Sequence, residues 1–336
     1  MLAAAFQVLR RNPRPVFGFA LLLTGAVFIL TLVVVGFVTF FAISRSINAT
    51  GADAETVAAG SVATIILSAF VPVVLSIVLT AILQGIVVLE VARGTLGEKL
   101  RLGGLWRAAK GRIGALIGWA LLLTFAVIVA LGVVALLIGL IIAFGGEAGI
   151  AIGVILGILA GGGAIVLAFW LSTRLCLVPS VLMLERLPLR AAVARSWSLT
   201  IGYFWKTLGI QLLVAFIVNT VSSIISIPLQ VLFSLGTFLI NPNSDESTFM
   251  VAGIVLYLLL IVVSIVFGAI AAVVQSSTTA LIYIDIRMRK EGLDLELSRF
   301  VEARQAGDTT VQDPYLVRAG TAPQQPQAPT EQSPWS

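Results

Sequence analysis

The sequence predicts an all-α, polytopic membrane protein with six transmembrane helices. They form three similar hairpins, each preceded by an amphipathic helix at the membrane interface. Of the 336 residues, 59% are hydrophobic and only 11% are charged, whereas a typical soluble domain has roughly 25% charged residues. Six apolar stretches are each long enough for a hydrocarbon core that takes about 20 helical residues to cross. This composition excludes a soluble fold.

The predicted spans cover about 16–43, 59–91, 113–144, 150–184, 207–240 and 249–286. Pro72 lies inside the second span, where we expect a kink, and Pro228 interrupts the fifth. At 1.5 Å per residue the fourth span would be about 50 Å long, which exceeds the hydrocarbon core of ~30 Å. It must therefore tilt, kink at Pro179 or project from the membrane.

The segment 189–201 has the pattern of an interfacial helix. Its apolar face carries Leu189, Val193 and Trp197, and its polar face carries Arg186, Arg190 and Ser198. Gly202 can end this helix in a left-handed cap. Aromatic residues follow at 203–205, as in the aromatic belt of a membrane surface, before the fifth span begins.

Internal similarity predicts the three hairpins. The stretches PVFGFALLL, ALIGWALLL and KTLGIQLLV align on glycine, each just after a basic segment. Each pair of spans ends in an acidic residue, and these are Glu90, Glu185 and Asp285. A unit of surface helix, span, turn and span would repeat about every 90 to 100 residues.

Charge distribution predicts the orientation. Of the 21 lysines and arginines, only Arg45 falls on the side opposite the N-terminus. By the positive-inside rule, both termini face the cytoplasm of a plasma-membrane protein. We divide the chain into a membrane domain, 1–306, and a disordered cytoplasmic tail rich in proline and glutamine, 307–336.

Residue usage argues against catalysis. The chain contains no histidine, which removes the commonest general base and most zinc and haem sites. We expect no enzymatic activity, no cofactor and no metal. Cys176 is the single cysteine and reads as a small buried hydrophobe. Basic stripes interleaved with exposed aromatics are missing from the sequence, so nucleic acid is not an expected partner.

Basic residues supply the candidate binding site. The candidates for binding anionic lipid headgroups are Arg10, Arg11, Arg14, Arg107, Lys110, Arg112, Arg174, Arg186, Arg190 and Arg195. The alternative is that these charges only fix the topology. Arg174 lies inside the fourth span, where a transport or proton-coupling role is the alternative to a headgroup contact at the inner boundary.

Glycines along the fourth span predict close helix packing. Gly149, Gly153, Gly157 and Gly161 recur at every fourth residue and continue a series that starts at Gly145. A strip of this kind lets helix backbones approach closely. The third span is the predicted neighbour, and a face between two copies of the chain is the alternative.

The fifth and sixth spans contain the most polar part of the membrane region. These residues are Thr220, Ser222, Ser223, Ser226 and Gln230, together with 275–279. Serine and threonine commonly join membrane helices by hydrogen bonds. The alternative is a cleft between these two spans that serves a small-solute or lipid transporter.

Three stretches carry a family resemblance: LRRNPRPVFG near the start, RSWSLTIGYFWKTLGIQLL and ALIYIDIRMRKEGLDLEL. They resemble a largely actinobacterial family of integral membrane proteins named the membrane domain of glycerophosphoryl diester phosphodiesterase. The resemblance implies a bacterial six-span plasma-membrane domain and an N-terminal extension in other members, so Met1 is an expected interior start. The enzymatic name does not carry over, because that catalysis uses histidine and a separate soluble domain.

Together these observations predict a non-enzymatic accessory or scaffold protein. Its expected partners are anionic membrane lipids and either another membrane protein or a second copy of the chain.

Overall fold

The computed structural model describes residues 13–48, 54–98, 101–239, 246–308 and 312–316. Its regular elements in these ranges are α-helices. They are α1 (Pro13–Asn48), α2 (Ala54–Thr95), α3 (Leu102–Lys110), α4 (Ile113–Phe144), α5 (Gly146–Leu175), α6 (Val178–Leu184), α7 (Leu189–Thr200), α8 (Phe204–Leu239), α9 (Glu246–Glu291) and α10 (Leu293–Gln305).

The all-α fold with six membrane spans is confirmed. Six stretches are long and apolar enough to cross a membrane, namely Val16–Arg45, Gly60–Thr95, Ile113–Phe144, Gly146–Leu184, Phe204–Leu232 and Tyr257–Glu291. The over-long fourth span breaks where proline predicts it. Helix α5 ends at Leu175, and α6 begins at Val178 with Pro179 in its first turn. Pro72 and Pro228 lie inside continuous helices.

Sequential helices form the most extensive pairs: α1 with α2, α4 with α5, and α8 with α9. Helix α2 also contacts α3, α4, α6 and α9, so it lies at the centre of the bundle. This arrangement agrees with three hairpins. The internal similarity of the hairpins stays a prediction.

The tightly packed core lies at one end of the bundle. We call this end, where the second, fourth and sixth spans finish, the basic side. Every residue of α6 is buried there, together with 86–92 of α2 and 282–284 of α9. Most side chains of α4 beyond Phe125 are exposed and apolar, as expected of surface that lipid tails cover.

Two short helices precede membrane spans on the basic side. Helix α3 precedes α4 and buries Leu105 and Ala109, whereas α7 precedes α8 and buries residues that include Ala192 and Leu199. Gly202 follows α7 with φ = +84°, which confirms the predicted left-handed residue. The predicted N-terminal surface helix lies outside the described residues, and an interfacial position of α3 and α7 stays a prediction.

The glycine strip packs closely only near the turn between α4 and α5. A Cβ atom on Gly149 would lie 2.5 Å from the carbonyl oxygen of Ile141, and one on Gly153 would collide with the Ile142 side chain. No described atom lies within 4 Å of the Cβ position at Gly157 or Gly161. The prediction of close packing against α4 is therefore wrong for these two glycines, because this neighbour reaches only the first turns of α5.

The predicted boundary of the disordered tail also needs correction. Residues 309–311 and 317–336 lie outside the described part of the chain. The segment 312–316, however, packs against the basic side, where the Tyr315 side chain is buried. The apolar ring of Tyr315 explains why this segment is ordered.

Candidate functional site

A buried polar network lies at the centre of the basic side. The Glu185 side chain follows α6 and has no exposed surface. The Tyr283 hydroxyl donates a 2.7 Å hydrogen bond to Glu185 Oε1, and Arg287 Nη1 donates a 3.0 Å bond to the Tyr283 oxygen. Arg195 Nε lies 3.1 Å from Glu185 Oε2. Thus a single carboxylate joins α6, α7 and α9.

Glu291 completes this network. Its two oxygens lie 2.5 Å from Arg195 Nη2 and 2.9 Å from Arg287 Nε. Burial tends to lower the pKa of the Arg195 guanidinium, but the attraction of Glu185 and Glu291 outweighs burial and raises this pKa above its ordinary value. Two arginines face two carboxylates, so the network is electrically balanced. A balanced buried network fixes helix positions rather than offering a charge to a ligand.

The C-terminal segment 312–316, which we call the docked segment, binds to this network. Arg93 Nη2 lies 2.6 Å from Asp313 Oδ2, and Arg287 Nη1 donates a 3.1 Å bond to the Tyr315 carbonyl. The Tyr315 hydroxyl lies 2.5 Å from Thr95 Oγ1. Burial raises the pKa of the Tyr315 phenol, although the bond to Thr95 opposes this effect. The docked segment therefore ties the end of α2 to the end of α9.

Several other basic residues form no ion pair with a described carboxylate. Within the described ranges, eight exposed cations form no ion pair: Arg45, Arg101, Arg107, Lys110, Arg186, Arg190, Lys290 and Arg299. Four of them are predicted headgroup ligands, and we call these four the cationic patch: Arg107, Lys110, Arg186 and Arg190. Arg186 has φ = +56°, a left-handed conformation that costs a residue other than glycine roughly 1 kcal/mol. Arg186 is the residue that follows the cap of α6, a position where helices commonly end in this conformation.

Arg112 joins the two halves of the cationic patch. Its Nη1 atom lies 3.4 Å from the carbonyl oxygen of Leu187. This contact places the end of α3, with Arg107 and Lys110, beside the loop that carries Arg186. Residues 75 positions apart in sequence are thus brought together at the basic side.

The remaining predicted headgroup ligands have other locations. Arg195 belongs to the buried network, so its charge is neutralised within the chain. Predicting it as a headgroup ligand missed Glu185, a carboxylate ten positions earlier in sequence. Arg10 and Arg11 lie outside the described residues, and only the backbone is described for Arg14.

Arg174 lies near the end of α5, apart from the cationic patch. Its guanidinium carbon is 5.2 Å from the ring centre of Trp197 and 5.5 Å from that of Phe204. Nη1 has a long, 3.5 Å contact to Thr200 Oγ1, and the buried Nε atom has no hydrogen-bond acceptor. No described carboxylate forms an ion pair with Arg174.

Two cavities lie on either side of the same polar pair, Ser172 of α5 and Gln211 of α8. The first cavity, about 370 Å³, also borders Gln84, Thr124 and Cys176. The second, about 250 Å³, lies among α5, α8 and α9. Its other polar lining residues are Gln275, Thr278 and Thr279. Polar groups from five different spans therefore line these two cavities.

Only part of the predicted polar zone of the fifth and sixth spans lies at these two cavities. Residues of α9 in the range 275–279 line the second cavity. The polar lining residue from α8 is Gln211, which was not in the predicted group. Of the predicted α8 residues, Thr220, Ser223 and Gln230 are exposed. Gln211 lies seven residues after the start of α8, and a polar residue inside an otherwise apolar run was the available signal.

Comparison of the chain with protein-family models, curated proteins and solved structures gives no match. The geometry of the cationic patch, Arg174 and the cavities therefore carries the functional argument.

Proposed function

We propose that this chain is a non-enzymatic plasma-membrane protein that binds anionic lipid headgroups through its cationic patch. We further propose that it acts as an accessory or scaffold protein for other membrane components, with both termini in the cytoplasm. Membership of the bacterial family that it resembles is part of this proposal. The supporting observation is the separation between the balanced charges of the polar network and exposed cations that form no ion pair with a described carboxylate.

The cationic patch has the chemistry for this role. Each basic residue near an anionic membrane contributes about 1 kcal/mol of attraction. The side chains of Arg107, Lys110, Arg186 and Arg190 all reach the surface.

Lipid-dependent stability tests this proposal. A ligand that binds the folded state raises the unfolding temperature. We expect the protein to be more stable in nanodiscs of phosphatidylglycerol than in nanodiscs of phosphatidylcholine. The variant R186Q/R190Q should lose part of this difference, whereas the control R299Q/R304Q, which removes two exposed charges from α10, should keep it. An unchanged difference in R186Q/R190Q would contradict headgroup binding by the patch.

The cavities favour a second function, transport of a small solute or lipid. Ser172 and Gln211 border both cavities, and a shared polar lining of two neighbouring cavities suits a polar substrate. Transbilayer movement of a fluorescent phospholipid or a small polar solute in proteoliposomes tests this function. Gln211→Leu should slow the movement, and the control Gln230→Leu on the exposed side of α8 should not. Equal rates in protein-free vesicles would exclude transport of the probe.

A further inference from the structure

Arg174 carries a positive charge that the described part of the chain leaves unneutralised. Its Nε atom is buried and lacks an acceptor, and the guanidinium forms one hydrogen bond with the described residues, the long contact to Thr200. A partly buried charge without a counter-charge is unfavourable. Because Nε is covered, the terminal nitrogens Nη1 and Nη2 form the edge that can meet an anion.

Aromatic rings hold this guanidinium in place. Trp197 of α7 and Phe204 of α8 lie within cation–π distance of it. Trp170 packs edge-on against Trp197, with ring centres 5.2 Å apart. A guanidinium fixed in this way is prepared to bind two oxygens of one phosphate.

The lining of the second cavity begins one helical turn beyond Phe204 along α8. Leu208 lines this cavity and follows Phe204, the ring beside Arg174, by four residues on α8. Phe169, Leu212, Val214 and Ala215 add apolar surface to the lining. The other five lining residues are polar, so the apolar surface is confined to one part of the cavity. A partly exposed cation beside this apolar surface can accommodate an anionic headgroup and the adjoining part of an acyl chain.

We propose that Arg174 and the second cavity together bind one phospholipid with an anionic headgroup. The phosphate would accept hydrogen bonds from Nη1 and Nη2 of Arg174, and the upper part of one acyl chain would occupy the cavity beside Leu208. An amine-bearing headgroup would need a carboxylate near Arg174 for its ammonium group. No described carboxylate forms an ion pair with Arg174, so the site favours a headgroup without an amine. This site deepens the proposed lipid function but does not include the cationic patch.

Native mass spectrometry from mild detergent tests the site with phosphatidylglycerol as the probe. At about 0.5 M salt the Debye length falls to roughly 4 Å, so lipids attracted only by surface charge should dissociate. The parent protein should retain one phosphatidylglycerol. Arg174→Gln should lower this occupancy by about tenfold, as expected on losing charged hydrogen bonds. Leu208→Trp, which fills the cavity and keeps the charge, should also release the lipid.

The matched control Arg190→Gln should keep the retained lipid while losing salt-sensitive lipid. Absence of a retained phosphatidylglycerol on the parent protein would overturn the proposal whether or not the variants fold. Equal retention by Arg174→Gln, or equal binding of phosphatidylcholine or inorganic phosphate to the parent, would also overturn it. If the cationic patch does not bind headgroups, R186Q/R190Q should keep the salt-sensitive lipid of the parent, and this result is independent of the lipid retained at Arg174.

Discussion

The Tyr283 hydroxyl donates a 2.7 Å hydrogen bond to Glu185, a residue 98 positions earlier in the chain. This bond joins the end of the sixth span to the end of the fourth, and Arg287 extends it to the docked segment. The basic side is therefore fixed by polar contacts, while the opposite ends of the spans expose apolar surface to lipid. Rigid span ends give the cationic patch a fixed arrangement.

Removing the charge of Glu185 should strongly destabilise the fold. Glu185→Gln leaves Arg195 and Arg287 without one of their two carboxylates, and breaking a buried pair costs about 3 to 5 kcal/mol. We expect a clear decrease in the unfolding temperature in detergent. Asp285→Asn serves as the control, because its partners Lys206 and Arg289 are substantially exposed and such pairs contribute about 1 kcal/mol or less. Equal effects of the two substitutions would contradict a central role for Glu185.

The docked segment should detach when its aromatic anchor is removed. Tyr315→Ala deletes a buried ring, and losses of this kind cost about 3 to 5 kcal/mol where the ring is fully packed. Hydrogen exchange at 312–316 should become much faster, with little change in the middle of α9. Tyr315→Phe keeps the ring and loses the hydroxyl contacts with Thr95 and with the Ala92 carbonyl, each of which contributes about 1 kcal/mol. Slow exchange in Tyr315→Ala would show that the ring does not hold the segment.

Glycine substitutions should have different effects along α5. A valine at Gly149 would collide with the Ile141 carbonyl, and overpacking costs roughly 1 to 3 kcal/mol. Valine at Gly157 should leave the unfolding temperature of the monomer unchanged, because the surrounding space is open. If Gly157→Val instead abolishes a dimer seen by native mass spectrometry, the outer part of the strip is a contact between two copies of the chain.

Reporter fusions test the orientation. One reporter placed after Ser336 and another inserted within 241–247 should report opposite sides of the membrane, with the C-terminal reporter in the cytoplasm. The reason is the excess of lysine and arginine on the basic side. Reporters on the same side would contradict the six-span topology.

Hydrophobicity alone was sufficient to predict the fold class, because the bilayer sets the length of each span. It also gave Ile113 and Phe144 as the ends of the third span, which coincide with those of α4. The spacing of the glycines could not show how far along its length α5 contacts α4, because this length depends on the crossing angle of the two helices. For this reason the sequence prediction failed at Gly157 and Gly161 but not at Gly149.

The candidate site was predictable as a set of charges but not as pairs. Arg186, Arg190 and Arg195 look equivalent in sequence, yet only Arg195 pairs with carboxylates, the buried Glu185 and the exposed Glu291. Its partner Glu291 is nearly a hundred residues away, and local periodicity contains no information about such contacts. Similarly, Tyr315 lies in a polar tail whose average composition predicts disorder, and a single aromatic ring reverses that outcome.

The most direct test of the central claim is the amount of anionic lipid that co-purifies with the cationic-patch variant. The substitutions are R107Q, K110Q, R186Q and R190Q, with Arg195 kept so that the buried network stays intact. Lipid mass spectrometry at low salt should find markedly less phosphatidylglycerol per protein than in the parent, with phosphatidylcholine unchanged, provided that the variant inserts and folds normally. A correctly folded variant that retains as much anionic lipid as the parent would contradict headgroup binding and leave these charges with a topological role only.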